Sequence, residues 1–332
     1  MNNLSYAVIG TGAVGGYYGG RLQQAGCEVH FLLRSDYEQV RSQGLIVESI
    51  AGDFMLPQVN AYRIPADIPP VDVALIALKT SHNSQIHTLL PKLKPNGVLL
   101  FLQNGFGIES AVEQHLKKNS PQQQNEKTLL PDILGGLCFI CSNKVGPGHI
   151  RHIDYGRLVV GAHQAAGQPC EPTLRMRKIA KDFTCAKVPT NLTNDLPMAR
   201  WRKLVWNVPF NGLSVLLNAS TDEMMADSNV RSLIRALMEE VVSVANSWGE
   251  QVSPGSDRHL DNSIVDIMLA HTENMLPYRT SMKIDYDEKR PLELAAILGN
   301  PIIAAKSLNI ATPKMEMLYQ QLTFLNVANK PA

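Results

Sequence analysis

Lys203, Asn207, Asn211 and Ser214 fall at intervals of four, four and three within the stretch RWRKLVWNVPFNGLSVLLN, residues 200–218. At 100° per residue counted from Trp201, Lys203 lies at about 200°, Ser214 at about 220°, Asn207 at about 240°, Asn218 at about 260° and Asn211 at about 280°. The rest of the circumference is mostly Trp, Leu, Val and Phe, with Arg202 the exception. A surface helix carries a broad charged face. This stripe is narrow and mostly uncharged, which reads as a core helix with one seam turned to a polar cavity. An interface helix whose asparagines bond backbone groups would explain the asparagines and leave the lysine unexplained. A buried ammonium is unfavourable unless paired, and burial lowers its pKa. Held near a cofactor, such a lysine can serve as an acid or an electrostatic clamp. Pro209 removes the hydrogen bond to the Val205 carbonyl and predicts a kink or break.

A second constellation sits near the N-terminus. Gly10, Thr11, Gly12, Ala13, Val14 and Gly15 spell GxGxxG, after a strand signal at 5–10 and before a helix signal at 14–25. In that context Gly10 permits a tight turn, Gly12 lets backbone approach a pyrophosphate at a helix N-terminus, and Gly15 lets helix and strand pack closely. The next strand, 28–34, ends in Arg34-Ser35, where an NAD site would offer a carboxylate. Arg34 can pair with a 2′-phosphate, which favours NADP; a solvated arginine after a strand is the alternative. Lys79-Thr80 and Gln103-Asn104-Gly105 end two later apolar runs, at the strand ends where open α/β sheets bind ligands. A solvated Lys79 and a plain Asn-Gly turn are the alternatives there. Near the C-terminus, Ser281 precedes an acidic loop, and Glu293 follows Pro291. With Pro291 at the first helical position, Glu293 reads locally as a first-turn carboxylate suited to the helix dipole.

These residues need elements to hold them. Strand and helix signals alternate from the N-terminus, and the run VDVALIAL at 71–78 is apolar throughout, as in a strand buried on both faces. The expected fold is α/β: a Rossmann-type, doubly wound parallel sheet followed by an all-helical C-terminal domain. Residues 35–42 read as a short helix capped by Ser35, with Gly44 past its end; 45–50 and 54–61 as a hairpin; 80–93 as a helix. Strand-like runs at 133–141 and 149–161 flank a turn and read as an antiparallel extension. The polar stretch 117–127 reads as an exposed insertion. The domains divide as 1–193 for the NADP-binding part and 194–332 for the helical, substrate-handling part.

The chain of 332 residues carries a net charge of +1 and no long basic run, which points away from nucleic acid and anionic membrane. No apolar run approaches the roughly 20 residues that span a bilayer, and the N-terminus lacks a signal-peptide pattern. Cys138 and Cys141 form a lone CxxC in a strand-like run, and no metal is expected; reduced thiols in a cytoplasmic protein fit the five scattered cysteines. Charged residues make up only 18%, which leaves room for a large core and a homodimer.

Taken in order and spacing, GTGAVG, Leu33-Arg34, Leu78-Lys79-Thr80, Gln103-Asn104-Gly105, Trp201-x-Lys203-Leu-x-x-Asn207-x-x-x-Asn211 and Ser281-Met…Glu293 resemble the ketopantoate reductases over essentially the whole chain. The resemblance implies NADPH-dependent reduction of a small 2-keto acid, ketopantoate to pantoate in pantothenate biosynthesis. It implies Lys203 as catalytic acid with Glu293 supporting it. It places Asn104, Asn207, Asn211 and Ser281 toward substrate, and Lys79 and Asn104 at the cofactor–substrate junction. Pro209 and the insertion depart from the family pattern. Thr221 and Tyr278 stand where some members carry asparagines near the substrate. Another 2-keto acid, or a non-catalytic NADP sensor, are the alternatives.

Overall fold

Five residues, Ser5–Ile9, are buried at every position and form strand β1; the glycine loop follows and helix α1 spans Ala13–Gln24. The structure, a computed structural model, describes residues 4–119 and 130–328. The chain continues through β2 (Glu28–Leu32), α2 (Tyr37–Gln43), β3 (Leu45–Ser49), β4 (Phe54–Leu56), β5 (Asn60–Tyr62) and β6 (Val71–Ile76). Next come the single turn α3 (Ile86–Leu89), β7 (Leu93–Phe101), α4 (Ile108–Asn119), the long pair β8 (Asp132–Gly146) and β9 (His149–Ala162), α5 (Leu174–Cys185) and β10 (Thr190–Thr193).

Among the described residues the strands form one sheet in the order β4-β3-β9-β8-β7-β6-β1-β2-β5, with β10 paired to β9. From β2 through β1, β6 and β7 to β8 every pairing is parallel; β8 and β9 are antiparallel. The chain steps from β1 outward to β2, then returns to β6 on the other side of β1. That reversal is the switch point of a doubly wound sheet, beyond whose strand ends ligands bind. The expected parallel sheet and antiparallel extension are both present.

Local readings differ in four places. Residues 80–93 are a 3₁₀ turn (Thr80–Gln85), α3 and then strand, not one helix. Leu90 precedes Pro91 and takes extended backbone (ψ 131), because proline disfavours the helical region before it. The hairpin closes at Leu56, ahead of Pro57; Asn60–Tyr62 instead pairs β2 in parallel. Asp36, not Ser35, precedes α2, and the Ser35 hydroxyl donates to its carboxylate at 2.9 Å. Helix α5 and strand β10 had no counterpart in the sequence reading. Of the polar stretch 117–127, Lys117, Lys118 and Asn119 finish α4 and 120–127 lie outside the described residues.

Two compact units emerge. The first runs to Gln103 and resumes over Ile108–Ala165 and Pro169–Leu196; the second takes Asn104–Gly107, Ala166–Gln168 and the described residues from Pro197 onward. The first unit's core gathers sheet residues such as Val8, Phe31, Val73 and Leu100 with Tyr18 and Leu22 of α1. The second is helical: α6 (Leu196–Leu216), α7 (Thr221–Ala226), α8 (Ser228–Val252), α9 (Ser263–Glu273), α10 (Ser281–Asp287), a π-helical turn (Ala295–Gly299), α11 (Asn300–Ser307) and α12 (Pro313–Ala328). Its core is centred on Trp201, Val205, Val208 and Phe210 of α6. Helix α6 runs unbroken through the buried Pro209. Of the kink or break expected there, the break does not occur: the helix continues across the one bond that proline removes.

Candidate active site

In the first unit, the glycine loop lies between β1 and α1. Gly10 has φ +101°, and a β-carbon there would come within 2.8 Å of the Leu78 nitrogen beyond β6. Only glycine fits both demands. A β-carbon on Gly15 would stand 2.2 Å from the Gly10 carbonyl oxygen and 2.9 Å from Val8, so helix and strand touch as the motif requires. Gly12 is the reverse case, with nothing within 4 Å of the same position. It precedes α1, whose first turn has no side-chain cap and no acidic residue. Its free N–H groups and the positive end of the helix dipole suit a pyrophosphate. Ala13 and Val14 are half-buried in that first turn, and Thr11 donates to the Leu32 carbonyl at 3.2 Å, tying the loop to β2.

Arg34 is exposed two residues past β2, and its guanidinium makes no hydrogen bond or ion pair among the described residues. The backbone just after it is anchored by the buried Asp36. Burial alone would raise that carboxyl, but Lys144 at 2.6 Å and the Gly148 N–H at 3.0 Å hold it below its usual range. Lys79 lies three residues past β6 and is half-buried at the start of the 3₁₀ turn. Its neighbours are stitched together: Gln103 Nε2 donates to the Leu78 carbonyl and to Asn83 Oδ1, both at 2.8 Å, and Asn83 Nδ2 donates back to Gln103 Oε1 at 3.1 Å. The polar ends of β6 and β7 are therefore one fixed assembly.

In the second unit, α6 presents the seam. Asn207, Asn211 and Ser214 are all buried, while Arg202 is exposed. No hydrogen bond to the side-chain amide of Asn207 or Asn211 forms among the described residues. Lys203 Nζ donates to Asn104 Oδ1 at 2.7 Å. Ser214 has a structural part: its hydroxyl is 2.7 Å from that of Thr280, which in turn caps α10 by accepting from the Lys283 N–H. The pair fixes where α10 begins, and Ser281 is its first residue, half-buried. Asn218 does not belong to the seam. It lies past the end of α6, exposed, with φ +53°, a left-handed position that asparagine tolerates after a helix.

Glu293 is buried and immediately precedes the helical turn that becomes the π-turn. Pro291 is exposed and outside the helix, so the first-turn proline reading does not hold. Thr221 and Tyr278 bond to each other: the Thr221 N–H donates to the Tyr278 carbonyl and Thr221 Oγ1 accepts from the Tyr278 N–H, both at 3.1 Å.

One buried polar residue, Arg200, was absent from the sequence reading. It donates from Nη1 to the Gly105 carbonyl at 3.2 Å. The same 100° step places it at about 260°, inside the seam. Counting from Trp201 hid it.

A glycine turn at the switch point of a parallel sheet, and a lysine held on a core helix, define the class of nucleotide-dependent oxidoreductases with a helical second unit. The ketopantoate reductase PanE/ApbA family model matches residues 6–165, and its C-terminal counterpart matches 195–326. The chain belongs to the ketopantoate reductase family and is an oxidoreductase. It is 49% identical to a 2-dehydropantoate 2-reductase of Nostoc sp., over 99% of this chain and 98% of that one. A 2-dehydropantoate 2-reductase structure from Geobacter metallireducens superposes with a TM-score of 0.85 at 40% identity, covering 97% of this chain and 99% of that one. A D-mandelate dehydrogenase solved with NADH shares the fold alone, at 19% identity and TM-score 0.80, over 98% and 99% of the two chains. No helix among the described residues is long and apolar enough to cross a membrane.

Proposed function

We propose that this chain reduces 2-dehydropantoate to pantoate with NADPH. The observation that carries the reading is the α6 seam: an ammonium bonded to Asn104 at 2.7 Å, one and two turns from two buried amides that no described residue satisfies. A small hydroxylated keto acid supplies the partners those amides lack.

The glycine loop 10–15 would hold the pyrophosphate on the α1 N-terminus, Arg34 the 2′-phosphate, and Lys79 and Asn104 the junction with substrate. When bound, the reduced nicotinamide supplies hydride to the carbonyl carbon. Lys203 supports charge on the carbonyl oxygen as it develops and gives it a proton, which the amine later regains from solvent. Asn207 and Asn211 orient the substrate's hydroxyl and carbonyl groups, and Ser281 donates to its carboxylate. Glu293 keeps Lys203 charged and aimed. In this reading residues 1–193 serve the cofactor and 194–332 the substrate, in a cytoplasmic homodimer.

The test is NADPH oxidation with ketopantoate beside a panel of other branched and aromatic 2-keto acids. Ketopantoate should have the highest kcat/KM. Thr221 and Tyr278, standing where some family members carry asparagines near the substrate, favour a second reading; a different preferred keto acid would establish it. Lys203→Ala should lower kcat by at least about 10², the lower bound of general acid catalysis, with the Kd for NADPH unchanged. Full turnover by that variant would remove Lys203 from the chemistry. NADPH binding without turnover of any keto acid would leave the sensor reading.

A further inference from the structure

The four residues Asn104–Gly107 belong to the helical unit, and they are held there with unusual thoroughness. Gly105 has φ +115°, and a β-carbon on it would lie 2.5 Å from the Ala296 carbonyl oxygen. Its own carbonyl accepts from the buried Arg200 guanidinium at 3.2 Å. The Phe106 N–H donates to the Ala296 carbonyl at 2.9 Å, and the Phe106 carbonyl accepts from Asn300 Nδ2 at 2.7 Å. The Phe106 ring lies 4.2 Å from Trp201, centre to centre.

The π-turn is what makes this possible. Asn300 sends its backbone N–H to Ala295, five residues back. In an α-helix that N–H would take the Ala296 carbonyl. The extra residue frees that carbonyl for Phe106, and π-turns of this kind recur at functional sites. A guanidinium buried on a core helix is likewise unfavourable unless its bonds do something. Here one bond fixes the peptide that follows Gly105, the residue after Asn104, while Lys203, one turn further along α6, meets the Asn104 side chain itself.

We infer that Arg200 and Asn300 are positioning residues that hold Asn104 where its amide meets Lys203, by clamping the carbonyls of Gly105 and Phe106. The inference rests on Lys203 being the catalytic acid. The bonds from Arg200 Nη1 and Asn300 Nδ2 end on the backbone of the loop that carries Asn104, so both act through that loop. A misplacement of about 1 Å can lower a rate 10²-fold.

The experiment is a set of double-mutant cycles in kcat, using Arg200→Met and Asn300→Ala, each alone and combined with Asn104→Ala. Each single variant should lower kcat at least about tenfold with the Kd for NADPH unchanged. In the Asn104→Ala background neither should lower kcat more than about twofold further, because residues acting through one another are not additive. Wild-type kcat in both variants, or an equal fractional loss in both backgrounds, overturns the inference. If Arg200→Met fails to fold, the half-buried Asn300→Ala decides alone. Lys203→Ala, measured beside them, separates the two ideas: if it turns over normally the acid assignment fails, and if it is inactive while the cycles are additive only the positioning role fails.

Discussion

Arg34 leaves β2 exposed and unbonded among the described residues, while the Asp36 carboxylate two positions on is fully engaged by Lys144 and Gly148. A cation kept clear of its nearest acid is available to an anionic ligand. Under the proposed NADP specificity, Arg34→Ala should raise the KM for NADPH about tenfold or more and leave that for NADH unchanged, since a hydrogen bond to a charged group contributes about 1.5–3 kcal/mol. An unchanged ratio of the two KM values would refute the assignment. The residue scale is also where sequence reasoning divided most sharply. Lys203 and its asparagines were legible because helical angle is a local property. The partner of Lys203 was not: Asn104 reaches it across 99 positions, and no periodicity encodes such a pairing. Asn300 was invisible for the same reason, its contact being with a backbone carbonyl remote in sequence.

At the scale of elements, the first unit is knotted together by one carboxylate. Asp72 on β6 accepts from the Ser5 N–H and hydroxyl on β1, from Lys94 on β7 and from Arg175 on α5, at 2.9 to 3.2 Å. Burial would raise its pKa; the Ser5 and Lys94 bonds outweigh that and bring it down to about 2. A depressed carboxylate contributes stability that is complete above its ordinary pKa and is lost as pH falls through the folded one. Wild type should therefore melt above Asp72→Asn at about pH 5, and the gap should close as pH falls from about 4 to about 2. A gap independent of pH would count against Asp72. Element types were legible where one force dominated, as in the doubly buried β6 or the glycine-opened α1. They failed at 80–93, where a polar run and Pro91 left room for only a single α-helical turn, and at α5, missed although Met176, Ile179, Ala180 and Phe183 form a buried i, i+3, i+4, i+7 stripe.

For the whole molecule, the sequence made the order of parts plain: alternating signals first, helices after. It could not show that strands from a hairpin and from residues 190–193 both join one edge of β9, since parallel partners leave no mark on one another's sequence. The low charged fraction of 18% fits a chain that covers more surface by association. In the helical unit Ile303, Phe324 and Val327 are 66%, 74% and 64% exposed on α11 and α12. The proposed homodimer would cover side chains of this kind. Sedimentation equilibrium should return twice the chain mass at micromolar concentration; a monomer there would refute the dimer. The π-turn carries one further consequence, for tolerance to length change. Each residue advances a helix by about 100°, so excising one residue within Ala295–Gly299 would restore a regular ladder and also swing everything beyond it around the axis. Asn300 would come away from Phe106 as the Ala296 carbonyl was recaptured. Chain length at this point is thus as fixed a requirement as the identity of any side chain.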